Sequence, residues 1–551
     1  MCRFRFLRGF SVAVSFLAFL ASSPCQEISG DEAQSDALEM LLSPPQEKVD
    51  SSLQKNFTIV EPVHRHDLNP QTTSYSADAQ ILTGLYEGLF VYDPETLAPQ
   101  PGIALSYRVS RDKKRWTFRL RENAKFSNGE RITAESVRAS MIQLLSTKGA
   151  PFASLLDIVR GAEDFRNGRI SADEVAVRAV SDSELSVHLV KPAGYFPKLL
   201  CHSAFSVVHR SPTVYSGAFM LEDSGDGILV MEKNPYYWDA AATHLERITV
   251  IQSDDPAENA FMFNTGAADW IAAAADTSRI INLNSMQINA EFGTNYFFFK
   301  TSAGKPGKKA SVWDNPDFRN ALLEAVPWDD IRQGMVVPAS TFVYPLADYP
   351  AVEGLGYTDS AEARSLMAEA RRRAGISGEQ KLPLVFDVPD GGISDSVIES
   401  LRQAWEPLGV EFSVRKIPQQ YYLSSVRSSD ADLFSYGWIG DFADPLTFLE
   451  LFRSGSTMND SGWSNSEYDR LIDEAASSDS ERYQLLAKAE SILLDSGMVI
   501  PRYHPVSFNL VNMDAVGGWS PNPIDVHPFK FLYRKSFVPK IPNVVMYSGR
   551  K

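Results

Sequence analysis

Strand patterns and helix patterns alternate along this chain, and no segment repeats with a fixed period. Apolar and alternating runs predict strands at residues 57–60, 117–120 and 185–189. Helical apolar spacing follows a capping Thr133 and appears again after Asn465. The absence of a sequence repeat argues against a solenoid or a propeller. A chain of 551 residues is also too long to fold around one compact core. The pattern therefore predicts a mixed α/β fold with two or more lobes.

The N-terminal segment has the pattern of an export signal. Three arginines within the first eight residues precede an apolar run at residues 10–21. This pattern predicts a secretory signal peptide at residues 1–25, and the run is shorter than the roughly 20 residues that a membrane-spanning helix needs. Residues 26–56 are rich in Glu, Asp, Ser and Gln, which is typical of a flexible acidic tether. We expect a protein exported to the periplasm or the cell surface.

The three cysteines limit how the chain can be stabilised and anchored. Cys201 is the only thiol in the segment that we expect to fold, so no internal disulfide is predicted. Its apolar neighbours favour an inert buried thiol over a nucleophile. Cys25 at the end of the signal leaves two alternatives open. It is either lipidated, as in a membrane-anchored lipoprotein, or removed or left unmodified after ordinary cleavage, because Pro24 stands where lipoprotein signals have a small residue.

The net charge restricts the class of partner. The chain carries 53 Lys and Arg against 69 Asp and Glu, for a formal charge of −16. An acidic protein repels the phosphate backbone of nucleic acids, so no nucleic-acid partner is expected.

The common catalytic signatures are missing from the sequence. We find no HExxH, CxxC, GxSxG or P-loop motif, so the chain is predicted not to be an enzyme and to need no cofactor. His64 and His66 could place two imidazoles on one face of an extended strand, but two ligands do not complete a metal site. We interpret them as surface residues and predict no metal site, with a weak metal contact as the alternative.

One aromatic segment has the character of a binding site. The sequence GWIGDFADPLTFLELF occupies residues 437–452, with a strand predicted before it and a helix predicted to start at Pro445. Asp444 precedes this proline and is assigned to cap the helix. Asp441 lies too far upstream for that task. It therefore stands free in a strand-to-helix loop, where open α/β sheets bind ligands and where apolar walls strengthen its attraction for a cation.

Several ordered segments resemble one protein family. They are GLYEGLFVYDPETLAPQPGIALSY at residues 84–107, RWTFRLRENAKFSNGERITAESV at 115–137, KNPYYWD at 233–239, FRNALLEAV at 318–326 and the aromatic segment above. Together they are similar to the extracellular solute-binding proteins of oligopeptide, dipeptide and nickel ABC importers. The resemblance extends over nearly all of residues 57–535.

The resemblance implies a two-lobed periplasmic-binding-protein fold, α/β in class, with a hinge and an additional inserted subdomain. Hinge crossings are expected near residues 295–301 and 500–504. The implied domains are a large lobe of residues 57–80, 211–295 and 500–551, an inserted subdomain of residues 81–210, and a second lobe of residues 296–499.

The resemblance also assigns ligand-binding residues. Asp441 matches the aspartate that pairs with a peptide's α-ammonium group. Tyr436, Gly437 and Trp438 match the strand that hydrogen-bonds the peptide main chain. Ser74, Tyr75 and Ser76 match the opposing segment of the large lobe. Arg427 is a candidate for binding the peptide's C-terminal carboxylate. Tyr503 and His504, at the end of the second hinge strand, are also predicted for the site.

The implied function is an extracytoplasmic receptor that captures short peptides by lobe closure and delivers them to a membrane permease. Its partners would be short peptides, the transmembrane subunits of an ABC permease and separate ATPase subunits, with the receptor itself a monomer. The main alternative keeps the fold and binds a nickel or other metal chelate or haem. Two further alternatives are an exported peptidase or glycosidase, and a surface interaction protein that no longer takes part in transport.

Overall fold

The computed structural model describes residues 55–535 except residues 309, 347, 441, 443 and 479. The predicted signal peptide, Cys25 and the tether up to residue 54 lie outside this range. Asn56, the last residue assigned to the tether, is already the first residue of a strand. In the described part of the chain, no helix is both long and apolar enough to cross a membrane.

The described residues contain short strands throughout. They are β1 (Asn56–Glu61), β2 (Phe90–Tyr92), β3 (Pro99–Pro101), β4 (Ala104–Val109), β5 (Arg115–Leu120), β6 (Val177–Ser181), β7 (Glu184–His188), β8 (Phe219–Gly225), β9 (Ile228–Lys233), β10 (Arg247–Gln252), β11 (Trp270–Ile271), β12 (Met286–Ala290), β13 (Gly293–Phe299), β14 (Val337–Pro338), β15 (Leu382–Pro389), β16 (Val410–Ile417), β17 (Leu433–Ile439), β18 (Val499–His504), β19 (Val506–Val511), β20 (Val516–Gly517) and β21 (Tyr533–Arg534).

The α-helices alternate with these strands. They are α1 (Ser76–Leu85), α2 (Ala134–Ser146), α3 (Ala162–Arg166), α4 (Phe196–Leu199), α5 (Pro256–Thr265), α6 (Pro316–Glu324), α7 (Trp328–Ile331), α8 (Ser360–Ala374), α9 (Asp395–Trp405), α10 (Gln419–Val426), α11 (Leu446–Leu449), α12 (Ser466–Ser477) and α13 (Arg482–Asp495).

The predicted helix starts are confirmed by capping hydrogen bonds. The Thr133 side chain accepts the N–H of Ser136 at the start of α2. Asn465 accepts the backbone N–H groups of Glu467 and Tyr468 at the start of α12. These side chains satisfy N–H groups that have no partner inside the helix, which explains why short local patterns predicted the boundaries.

A seven-stranded sheet forms the core of the large lobe. Its strand order is β12-β19-β11-β1-β10-β9-β8, with β1 parallel to both β10 and β11. Phe57 and Trp270 are buried on it together with Phe219 and Trp519. Strand β1 is therefore central, and its last residue, Glu61, reaches the end of the sheet.

A second, six-stranded sheet forms the other lobe, in the order β14-β18-β13-β17-β15-β16. A separate four-stranded sheet, β4-β5-β7-β6, lies in the segment between β1 and β8, and Trp116 and Phe118 on β5 are buried against Phe196. This small sheet is the inserted element of the fold. The predicted two-lobed α/β fold with a hinge and an inserted subdomain is thereby confirmed.

The chain passes between the two main sheets at two very short connections. Residues 291–292 join β12 of the first sheet to β13 of the second, and residue 505 joins β18 of the second to β19 of the first. The sequence-based crossings at residues 295–301 and 500–504 therefore lie mostly within β13 and β18. When only one or two residues separate two strands, the sequence looks like one continuous strand and does not show where the chain changes lobe. The predicted crossings therefore lie a few residues inside the second lobe.

Glu490 on α13 predicts a pH-dependent contribution to stability. Its Oε1 accepts the N–H groups of Phe342 and Val343, both at 2.8 Å, and burial raises the pKa of its carboxyl group to about 7. The pKa is higher in the folded than in the unfolded chain, so folding takes up a proton and the stability falls as the pH rises from about 4.5 to about 7. Glu490→Gln retains an oxygen acceptor but cannot ionise. We expect the wild type to lose up to roughly 3 kcal/mol relative to this variant over that interval.

Urea unfolding of both proteins at about pH 5 and about pH 8 measures this difference. Glu379→Gln, at an exposed position, is the matched control and should follow the wild type at both values. Identical pH dependence in Glu490→Gln and the wild type would contradict the assignment.

Candidate functional site

A cleft of about 1660 Å³ lies between the lobes. Ser74 and Tyr75 line it from the large lobe, Phe152 from the inserted subdomain, and Tyr436 and Trp438 from the second lobe. Pockets for single drug-sized molecules measure about 300–1,000 Å³. The cleft is larger than these pockets and is therefore suited to an extended ligand.

Strand β17 presents part of one edge to this cleft. Its first edge pairs with β13 over the whole strand, from Leu433 to Ile439. On the other side β15 pairs with β17 only at Leu433 and Phe434. From Ser435 onward, no described strand covers this second edge, and residues 435–440 all line the cleft. The edge beyond Phe434 is named the open edge below.

Backbone groups at two positions of the open edge face the ligand space. The Ser435 N–H points to this side, because it donates to the Tyr422 hydroxyl at 2.9 Å. Backbone groups alternate in direction along a strand, so Gly437 and Ile439 direct their N–H and C=O groups to the same side. An unpaired strand edge offers donors and acceptors that match those of any extended peptide.

Two side chains on one face of this strand, Tyr436 and Trp438, support the edge. The Tyr436 hydroxyl donates to Asp460 Oδ2 at 2.9 Å, which holds the ring in place. The half-buried Trp438 ring lies 6.3 Å from the ring of Phe152 in the inserted subdomain. At Gly437 a Cβ atom would lie 2.9 Å from Asn295 Oδ1, so a side chain there would displace Asn295.

The predicted opposing segment lies on the other wall. Ser74 and Tyr75 line the cleft, and Tyr75 is placed by its N–H, which donates to Thr73 Oγ1 at 3.1 Å. Ser76 is the first residue of α1. The structure thus brings this segment and the open edge to one cleft, although their roles in binding remain predictions.

A charged cluster lies beside this segment. Asp78 Oδ1 is 3.2 Å from His64 Nε2 and 3.2 Å from His66 Nδ1, and Glu61 Oε1 is 2.9 Å from His66 Nε2. Burial alone would lower the pKa of His66, yet its bonds to Asp78 and Glu61 raise that pKa to about 9. Burial would raise the pKa of Asp78, but hydrogen bonds from both histidines and Thr73 lower it to about 2. The sequence identified the two histidines but missed both carboxylates, although Glu61 stands only three residues before His64.

Arg427 lines the cleft but already has partners. Its Nε donates to Asp460 Oδ1 at 2.8 Å, and its Nη2 donates to the Thr457 carbonyl at 2.9 Å. A peptide carboxylate would have to share this guanidinium with Asp460. Sequence reasoning missed Asp460, which orients both Arg427 and Tyr436 in the cleft wall.

The structure does not place Tyr503 and His504 among the residues that line the cleft. His504 is buried, and its Nδ1 donates to the Gly293 carbonyl at 2.9 Å, while burial lowers its pKa. Tyr503 pairs with β13 and β14 inside the sheet. Their neighbour Arg502 lines the cleft instead. The pairing of β18 with β13 shifts register here, because Asn295 pairs with Tyr503 but Tyr296 pairs with Pro501, so simple strand alternation does not hold at Arg502. The sequence predicted this strand but not which of its residues face the ligand space.

Asp441 lies outside the described residues, so its predicted role stays a prediction. The strand before it ends at Ile439, and the Gly440 N–H donates to the Phe292 carbonyl at 2.7 Å. Asp444 has the predicted capping bond, because its Oδ1 accepts the Leu446 N–H at 3.0 Å. The same carboxylate also pairs with Arg482.

Cys201 lines the cleft but lacks the character of a nucleophile. It is half-buried, its thiol donates to the Pro197 carbonyl at 3.4 Å, and burial raises the pKa of the thiol. A thiol that resists ionisation reacts slowly.

The inserted subdomain contacts the second lobe directly. Ser154 Oγ is 3.3 Å from Ser456 Oγ and accepts the Thr457 N–H at 3.1 Å. Lys191 Nζ donates to Asp473 Oδ1 at 2.8 Å. These bonds join the subdomain to the second lobe.

Comparisons with known proteins agree with this architecture. The family "Bacterial extracellular solute-binding proteins, family 5 Middle" matches residues 98–460. The oligopeptide-binding protein OppA of Bacillus subtilis is 27% identical over 492 residues, which cover 83% of this chain and 88% of the relative.

Solved structures share the fold. Haemophilus influenzae OppA in complex with RPPGFSPFR superposes with a TM-score of 0.76 at 23% identity, covering 87% of this chain and 99% of that one. The Escherichia coli murein tripeptide binding protein MppA superposes with a TM-score of 0.76 at 22% identity, covering 88% and 99%. The members of this family are binding proteins that act in the periplasm or outside the cell. With two thirds of its length matched by the family, this chain belongs to the bacterial extracellular solute-binding proteins of family 5.

Proposed function

We propose that this chain is the extracytoplasmic receptor of an ABC importer for short peptides. The observation that carries the proposal is the open edge of β17, whose Gly437 and Ile439 backbone groups face a cleft of about 1660 Å³. Main-chain recognition by an unpaired strand accepts peptides of different sequence. The names of the relatives support the same ligand class, since they include oligopeptide- and dipeptide-binding proteins.

Lobe closure would then capture the peptide, and a membrane permease with separate ATPase subunits would receive it. The bonds between the inserted subdomain and the second lobe define the closed state that a ligand would favour. ATP hydrolysis is assigned to the partner subunits, and the receptor is proposed to bind its ligand without chemical change. Residues 1–25 are proposed to direct export, with Cys25 either lipidated or unmodified.

Native mass spectrometry of the purified mature protein tests the ligand class. We expect unfolding to release a heterogeneous set of short peptides, because backbone recognition does not select one sequence. Release of a single haem or metal-chelate mass would overturn the peptide assignment in favour of the alternative ligand. The mass of the unfolded chain also identifies the mature N-terminus and any lipid on Cys25.

A further inference from the structure

Three potential metal ligands converge at the end of β1. One ligand atom from each of Glu61, His64 and His66 lies within 4.8 Å of the others. Glu61 Oε1 is 2.9 Å from His66 Nε2 and 4.0 Å from His64 Nδ1. Ligands of a tetrahedral zinc ion stand about 3.3 Å apart when each metal bond is about 2.0–2.1 Å long. The two distances bracket that value, so small side-chain movements would complete the geometry.

A buried carboxylate orients both imidazole rings toward Glu61. His64 Nε2 and His66 Nδ1 both contact Asp78 Oδ1, which leaves the opposite nitrogen of each ring facing Glu61. Asp78 is itself held, because its Oδ2 accepts the Thr73 hydroxyl at 2.7 Å and the Asp67 N–H at 3.2 Å. Such a carboxylate behind a histidine fixes the ring and the nitrogen that is free to bind metal.

We propose that Glu61, His64 and His66 bind a divalent transition-metal ion, with Zn²⁺ as the best match, on the wall of the cleft. Two imidazoles and one carboxylate suit zinc, whereas Ca²⁺ and Mg²⁺ prefer sites made wholly of oxygen. The ion would replace the present contacts of His64 Nδ1 with the Pro62 carbonyl and of His66 Nε2 with Glu61 and Gln252.

The three-ligand set leaves one tetrahedral position for another donor. Both histidines line the cleft, so this position is open to water or to a donor atom of a molecule held there. The site goes beyond the proposed function, because its ligands belong to the protein and it can fill without any peptide.

The experiment uses the mature protein stripped of metal with a chelator and then titrated with Zn²⁺ alone. Isothermal calorimetry and metal analysis after dialysis should give one Zn²⁺ per chain, and Ca²⁺ and Mg²⁺ should not compete. His64→Gln and His66→Gln should each weaken binding by about a hundredfold, and Asp78→Asn by about tenfold. Substoichiometric or undetectable Zn²⁺ binding to the wild type would overturn the proposal.

The matched control is His209→Gln. His209 also pairs with a carboxylate, Glu130 at 3.0 Å, but it does not line the cleft. This variant should bind Zn²⁺ as the wild type does, and an equal loss in His209→Gln and His66→Gln would overturn the assignment to Glu61, His64 and His66.

Cobalt substitution gives a readout that does not depend on affinity. Co²⁺ in the wild-type site should show the visible absorption of a four-coordinate ion, and the band should disappear in His66→Gln while circular dichroism confirms that the variant is folded. Peptide binding is measured separately in the presence of chelator. Peptide binding without Zn²⁺ binding would overturn the metal site alone, and Zn²⁺ binding without peptide binding would overturn the proposed function alone.

Discussion

Oxidation of a Ser154→Cys, Ser456→Cys double variant is expected to slow peptide association by at least about a hundredfold, because a cross-linked cleft cannot open to admit a ligand. The two hydroxyl oxygens are 3.3 Å apart between the inserted subdomain and the second lobe, so thiols at these positions need only a small movement to reach disulfide distance. Reduction should restore the wild-type association rate.

Stopped-flow measurements with a fluorescently labelled peptide give this rate. The protein is freed of ligand and oxidised in the absence of peptide, and mass spectrometry verifies the cross-link. Each single cysteine variant is the control for pairing with other thiols and should bind at the wild-type rate under oxidising conditions. A verified cross-link with an unchanged association rate would show that peptides do not enter by separation of the inserted subdomain from the second lobe.

Replacement of Asp441 by Asn should weaken the binding of peptides with a free N-terminus at least tenfold, or about 1.4 kcal/mol. The reason is that the family resemblance assigns this carboxylate to the peptide's ammonium group. Trp438 and Phe442 stand close to it in the sequence, and an apolar surrounding would make the charge attraction stronger than in water. Asn has nearly the same shape and keeps an acceptor, so the change isolates the charge.

Titration calorimetry with matched free and N-acetylated peptides measures this effect. The acetylated peptide has no ammonium group and should bind the wild type and Asp441→Asn equally. Asp430→Asn removes an exposed carboxylate of the same lobe that pairs with Arg415, and it should leave both affinities unchanged. Wild-type affinity for the free peptide in a folded Asp441→Asn protein would remove Asp441 from the site.

Much of the fold was predictable because the relevant bonds are local. Thr133 and Asn465 cap helices through hydrogen bonds to residues two or three positions away, and Asp444 does the same for Leu446. Alternating side chains likewise identified β1, β5 and β7. The ordered motifs then indicated the two-lobed family fold.

The site was predictable only in part. Ser74, Tyr75, Arg427 and residues 436–438 line the cleft, and their roles in binding stay predictions. Tyr503 and His504 do not line it, and a local strand pattern does not reveal the register shift between β13 and β18 beside them. No sequence pattern predicted that Asp460 and Arg502 would line the cleft. Their positions depend on contacts with residues that are distant in the sequence.

Local sequence patterns were enough to predict the mixed α/β class and the helix caps, because these depend on neighbours a few positions apart. The end of the β15–β17 pairing at Phe434, which leaves the rest of that strand edge uncovered by any described strand, is visible only in the folded chain. The same is true of the cluster that Glu61, His64 and His66 form with Asp78. It is also true of the contact between Ser154 and Ser456. Such contacts depend on the path of the chain between distant residues, and no local pattern records that path.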